Sequence, residues 1–307
     1  MKSSAVKGFV AGVDVGGSHI TASLAETSSG KLIANSKTAM PVNSSGSKES
    51  ILSQWSAVIL KAAGFAQKTP LDGIGLAMPG PFDYERGIAL MKDLGKYDNI
   101  YGVNIRAELK ARLGLPKTPI LFRNDAQCFL LGECWRGAAV GCSDAIGVTL
   151  GTGFGSAFLR NGLCVEDDPG MPPQKWFYNI PFRGVIADDC FSTRGILRAY
   201  RRRSGREAAD VRALVRLAPD DPHAIAVFHE FGAMLAEFLA PFVRKFAPQT
   251  LVIGGNIAKA WGLFAAPLLD GIRKACPEVA VAQACLFEDA ALLGAARLPL
   301  LYREPAS

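Results

Sequence analysis

Phe9-Val10-Ala11-Gly12-Val13-Asp14-Val15-Gly16-Gly17-Ser18 runs from an apolar segment into one acidic residue and a pair of glycines. A short apolar run closed by glycines reads as a buried strand that ends in a tight turn. The pattern recurs at residues 74–78 before Pro79-Gly80, at 145–150 before Gly151-Thr152-Gly153, and at 251–253 before Gly254-Gly255. Helical periodicity fills the intervals at 51–67, 105–113, 125–136, 192–202, 224–246 and 288–298. Strands alternating with helices predict an α/β architecture in which helices cover the sheets.

Ala39-Met40-Pro41 suggests an edge strand followed by a loop, and Asp167 to Pro173 is a loop carrying three prolines. These breaks place a lobe boundary near 116–123: a first lobe over 1–120, a second over 121–287, and a last helix at about 288–303 returning to the first. Each lobe opens with a strand and a glycine turn, which hints at a duplication.

Composition narrows the class. The chain has 307 residues, 49% hydrophobic and 20% charged, the balance of an ordinary soluble enzyme with a large core. Its net charge of +6 is modest, and much of the excess lies at Arg194, Arg198, Arg201, Arg202, Arg203 and Arg206. On a helix these would spread over more than one face, so a solvated helix is preferred to an anion-binding patch, and nucleic acid is not expected. Seven scattered cysteines and three histidines offer no metal-ligand spacing and read as reduced thiols. The apolar run from Phe9 is broken at Asp14, unlike a signal peptide, and the stretch 224–243 contains His229, Glu230 and Glu237, awkward for a membrane span. The expectation is a cytoplasmic protein without a membrane partner.

Glycine turns after strands present backbone N–H groups with no Cβ in the way, which suits phosphate. The chain has no Gly-x-x-x-x-Gly-Lys-Ser/Thr loop, and Ser156 stands where a dinucleotide fingerprint needs its third glycine. What distinguishes these turns from plain chain reversals is the company the glycines keep. Asp14 can hold Mg²⁺ or its water, Ser18 and Thr152 can bond phosphoryl oxygens, and Gly254-Gly255-Asn256 can sit beneath a nucleobase or ribose.

At these residues the chain resembles the ROK (repressor, ORF, kinase) family of actin-like and hexokinase-like ATPases, over almost its whole length. Residues 13–20 resemble the family's first phosphate motif, 75–81 its sugar-side turn, Asn124-Asp125-Ala126 its catalytic segment, 150–155 its second phosphate motif and 251–257 its adenosine motif. The resemblance implies two actin-like (ribonuclease H-like) lobes with a central nucleotide cleft, and phosphorylation of a sugar hydroxyl by Mg-ATP. It implies Asp125 as general base; a helix N-cap is the plainer role for that residue, although Asn124 would suit it equally. Asp14, Gly16, Gly17, Ser18, Thr152, Gly153, Gly254, Gly255 and Asn256 would bind the nucleotide, with Mg²⁺ near Asp14. Gly80, Asn99, Asn124 and Asp188 would join Asp125 at the substrate. Asn99 reads equally as part of an ordinary turn, and Asp188 equally as a plain loop acid.

The chain departs from the family between Gln174 and Ser192. A Glu-x-Gly-His segment and a cysteine-rich zinc loop are expected there, and neither is present. No structural zinc is therefore expected, with packing of Trp176, Phe177 and Phe182 in its place. Trp176 and Tyr178 could stack on a sugar face, although core packing is the plainer role. Loss of the Glu and His, which grip pyranose hydroxyls in the family, means the acceptor need not be glucose. The resemblance also implies a homodimer. The rival reading is a catalytically silent sugar sensor of the same family; the eight residues before Phe9 are too few for a helix-turn-helix.

Overall fold

The computed structural model describes residues 8–67 and 69–304. Contacts divide the chain into two units, the first running to Arg136 and resuming at Glu288, the second spanning Gly137–Phe287. In unit 1, β1 (Phe9–Val15), β2 (His19–Glu26) and β3 (Thr38–Pro41) lead to α1 (Lys48–Ala63) and β4 (Leu71–Met78). The short strands β5 (Phe82–Asp83) and β6 (Ile88–Ala89), α2 (Ile105–Leu113), β7 (Ile120–Asn124) and α3 (Asp125–Arg136) follow.

Unit 2 begins with β8 (Ala145–Leu150), β9 (Phe154–Arg160) and β10 (Leu163–Cys164), then a hairpin of β11 (Pro181–Phe182) and β12 (Val185–Ile186). Four helices come next: α4 (Ala187–Phe191), α5 (Thr193–Ser204), α6 (Val211–Leu217) and α7 (Pro222–Phe246). β13 (Thr250–Gly254), α8 (Trp261–Ala275) and β14 (Ala280–Gln283) complete it, and α9 (Glu288–Leu301) belongs to unit 1.

Both units carry a five-stranded sheet of one design, ordered β3-β2-β1-β4-β7 and β10-β9-β8-β13-β14. In each, the hairpin strands pair antiparallel and the last three strands run parallel. The inner parallel strands β1, β4, β8 and β13 are largely buried on both faces, which explains their near-continuous apolar sequences. In unit 1, Ala11, Val13 and Val15 pack with Ile51, Trp55 and Ile59 of α1 on one face. Gly12 and Gly75 on the other face lie against the backbone of α9.

The lobe boundary expected near 120–121 falls instead after Arg136. β7 pairs in parallel with β4, and α3, which grows directly from it, packs against α9, so 121–136 belong to unit 1. Helix α7 is long and apolar enough to cross a membrane by length and composition. Its apolar face carries Phe228, Phe231, Leu235 and Phe238 into the core of unit 2. The anticipated packing around 174–192 is only partly realised. Phe177 is fully buried among Phe154, Phe158 and Phe238, and Phe182 lies against Phe191, but Trp176 is half-buried and Tyr178 is exposed. Tyr178 is therefore not a core residue: it stands beside the exposed hairpin, with no partner sheet to cover it.

Close backbone contact seats α9. A Cβ on Gly75 would lie 1.8 Å from the Ala295 carbonyl oxygen, and one on Gly294 would lie 1.6 Å from that of Cys128. Gly294→Ala is expected to cost about 3 kcal/mol through overpacking. Gly64→Ala, where nothing lies within 4 Å, should change little. Denaturant unfolding of both variants checks this; equal midpoints would contradict the seating of α9.

Candidate functional site

In unit 1 the predicted residues gather where the parallel strands end, the edge at which open α/β sheets bind ligands. Asp14 is the penultimate residue of β1, Gly80 follows β4, and Asn124 and Asp125 lie where β7 passes into α3. The turn Gly16-Gly17-Ser18 joins β1 to β2, with the Gly16 amide donating to His19 O at 2.9 Å and Ser18 O accepting from Val42 N at 2.8 Å. Gly17 and Ser18 are exposed, and the Ser18 hydroxyl shares a hydrogen bond with His19 Nδ1 at 2.9 Å.

Asp14 and Asp125 act on each other electrostatically. Burial, and secondly repulsion from Asp125, push the Asp14 carboxyl up to about 6. Asp125 keeps contact with water while standing among many protein groups. That crowding raises its pKa, and the Ala126 amide, the Lys96 ammonium and Asn124 pull it back. Both Asn124 Oδ1 (3.0 Å) and Asp125 Oδ1 (2.9 Å) accept from the Ala126 amide, so the two share the capping of α3. Asp125 thus has both the cap role and a place at the site.

Three tyrosine and lysine residues at this edge carry no motif and escape sequence reasoning. Tyr84 Oη donates to Met78 O at 3.2 Å and accepts from Asn124 Nδ2 at 3.3 Å, tying the end of β4 to the start of α3. Tyr97 is fully buried and donates to Gly16 O at 2.6 Å; burial foremost pushes its phenol up to about 12, so it remains a donor. Lys96 lies across the turn, its Cδ 3.9 Å from where a Gly17 Cβ would be. Asn99 donates to Ser45 O (3.1 Å) and Gly46 O (2.9 Å), so its amide nitrogen holds a loop.

In unit 2 the second turn, Gly151-Thr152-Gly153, joins β8 to β9 and leaves Thr152 and Gly153 exposed. Gly255 has φ +82, and a Cβ there would lie 2.3 Å from Leu150 O, so only glycine lets the end of β13 rest on the end of β8. The structure thereby brings Gly151–Gly153 together with Gly254-Gly255-Asn256. Asp188 is largely committed within the unit: one oxygen accepts from Phe154 N at 2.6 Å and the other from Arg194. Beside Asn256 opens a cavity of about 240 Å³ lined by Thr193, Asp210, Arg212, Ile257 and Lys259. Its walls come from α5, α6 and the turn after β13, which no single stretch of sequence announces.

Among the described residues no group of three or more His, Cys, Asp or Glu side chains is arranged to hold a metal. The Mg²⁺ that would accompany a nucleotide fits Asp14 on chemical grounds. A hard cation favours carboxylate oxygen, and it would relieve the burial and the repulsion that together raise this group's pKa.

Asp14 binds its proton more tightly in the fold than its ordinary 3.8 allows, up to about 6. Between those values the native chain holds more protons than the unfolded chain, so this group's contribution to stability falls as pH rises through about 6. Denaturant midpoints at about pH 4 and about pH 8 should differ less in Asp14→Asn than in the parent chain. An identical difference in both would contradict the raised value.

A profile described as the ROK family matches residues 10–300. Glucokinase of Thermotoga maritima is 26% identical, over 94% of this chain and 96% of the relative. N-acetyl-D-glucosamine kinase of Vibrio parahaemolyticus is 27% identical over 60% of this chain and 65% of the relative. Among solved structures, a ROK hexokinase from Thermus thermophilus superposes with a TM-score of 0.74 at 25% identity, covering 94% of this chain and 96% of that one.

Proposed function

The chain belongs to the ROK family, and from that premise we propose that it is an ATP-dependent kinase of a hexose or hexosamine. The observation that carries the proposal is the pair Asp14 and Asp125, electrostatically coupled at the ends of β1 and β7 beside the exposed Gly16-Gly17-Ser18 turn. Named relatives phosphorylate glucose or N-acetylglucosamine, which supports a pyranose acceptor.

Phosphoryl transfer asks a protein to position the reactants and to stabilise charge. In this reading Asp125 accepts the proton of the acceptor hydroxyl as its oxygen bonds to the γ-phosphorus and ADP leaves. Asn124, braced by Tyr84, and Gly80 would orient that hydroxyl. Asn99 has its carbonyl oxygen to offer. Asp188 would contribute to the acceptor chiefly by holding the second turn. The Gly17 amide, the hydroxyl of Ser18, and Thr152-Gly153 would hold phosphates where the Gly16 turn, closed by its own bond to His19 O, presents them, and Gly254, Gly255, Asn256 and the adjoining cavity would hold the nucleoside. Mg²⁺ held by Asp14 would neutralise phosphate charge. A cytoplasmic homodimer without zinc completes the reading, and it rests on the resemblance together with seven free cysteines.

A coupled assay of ADP release across glucose, mannose, N-acetylglucosamine and N-acetylmannosamine tests the proposal. One of these should turn over, and Asp125→Asn should lower kcat by about 1000-fold with folding intact. Because burial raises the pKa of Asp125, kcat/KM should fall on acidification as that carboxylate is protonated, and should begin to fall at a higher pH than an ordinary carboxylate would set. Sugar binding without turnover would replace the kinase with a sensor.

A further inference from the structure

The stretch Asp93 to Asp98 is a stiff loop built to present one side chain. Asp93, Gly95 and Tyr97 all have left-handed backbones, with φ of 57, 70 and 61. For the non-glycine residues that conformation is costly, on the order of 1 kcal/mol or more each, and it persists only where surroundings enforce it. The enforcing contacts are visible. Asp98 closes the loop by accepting from Leu94 N and Gly95 N, both at 3.0 Å. Tyr97 donates its amide to Ser44 O at 2.7 Å and its hydroxyl to Gly16 O at 2.6 Å, while its ring meets Trp55 edge-on at 5.4 Å.

Lys96, between the two, is thrown back over the turn. Its Cδ comes within 3.9 Å of where a Gly17 Cβ would stand and its residue is half-buried, yet among the described residues its ammonium makes no hydrogen bond or ion pair. A lysine held by an ordered loop near Asp125, yet in no ion pair with it, is poorly explained as a solvated surface residue. The turn from Gly16 to Ser18 has no lysine or arginine of its own, and Asp14 and Asp125 bring two carboxylates to the place a nucleotide's terminal phosphate must approach. A polyanion arriving there needs a protein cation, and Lys96 is the cation that acts on Asp125.

We propose that Lys96 binds the terminal phosphate of the nucleotide from above the Gly16-Gly17 turn and stabilises the phosphoryl group during its transfer. The inference rests on the kinase reading. Its physical content is that positive charge sits where the equatorial oxygens gain charge in the transition state, with the loop ordered beforehand.

Calorimetric titration with Mg²⁺ and three probes separates this role from a structural one: a nonhydrolysable ATP analogue, ADP and adenosine. Lys96→Met keeps an unbranched apolar stem over the turn and removes the charge. It should weaken the ATP analogue by about 10- to 100-fold, the range for a hydrogen bond to a charged group, and leave adenosine unchanged. Lys96→Arg should recover part of the loss. In steady state, Lys96→Met should lower kcat by about 100-fold while KM for the sugar holds. Equal weakening of all three probes, an unaltered affinity for the analogue, or a loss confined to sugar binding would each overturn the assignment. A parent chain that binds none of the probes would instead overturn the kinase reading on which it stands.

Discussion

Helix α9 lies against the sheet and α3 of unit 1 at backbone distance, and the geometry of the candidate site depends on that seating. Gly12 and Gly75 on the sheet, Gly132 on α3 and Gly294 on α9 itself each meet a carbonyl where any Cβ would collide. Such contact makes the relation between elements rigid, because a packed interior has no slack to absorb even one methyl group. Asp14 closes the strand that α9 covers, and Asp125 opens the helix against which α9 lies. The two carboxylates are thus held near each other by packing that takes place several residues away from them.

That proximity is unfavourable in isolation. Asp14 resists ionisation because it is buried and because Asp125 repels it. Repulsion of this kind is relieved by a cation, which is why Asp14 suits a metal ion. The surrounding groups fit the same logic. Asn124 and Asp125 cap the α3 N-terminus, Tyr97 fixes the Gly16 carbonyl, and the left-handed loop brings Lys96 to the turn.

Much of this was legible in the sequence because it is local. The period of the apolar residues marks α2 and α3 at their observed limits, and the run-then-glycine pattern marks β1, β4, β8 and β13. The lobe boundary was not legible, since nothing within residues 121–136 announces that β7 pairs with β4. Helix α8 went unread because Gly262, Pro267 and Gly271 interrupt its pattern, and tertiary packing against α7 overrides their low propensity. The arginine-rich stretch became a solvated helix, with Arg194, Arg201, Arg203 and Arg206 each in an ion pair. Asp125 and Asn124 were visible through their motif. Tyr84, Lys96 and Tyr97 were not, because their importance lies in what they touch across the fold.

The most direct test of the account is a crystal structure with Mg²⁺, a nonhydrolysable ATP analogue and the acceptor sugar. The account predicts the terminal phosphate against the Gly17 amide of the Gly16-Gly17-Ser18 turn and the acceptor hydroxyl within about 3 Å of the Asp125 carboxylate. A hydroxyl turned away from Asp125, or phosphates bound apart from that turn, would contradict it.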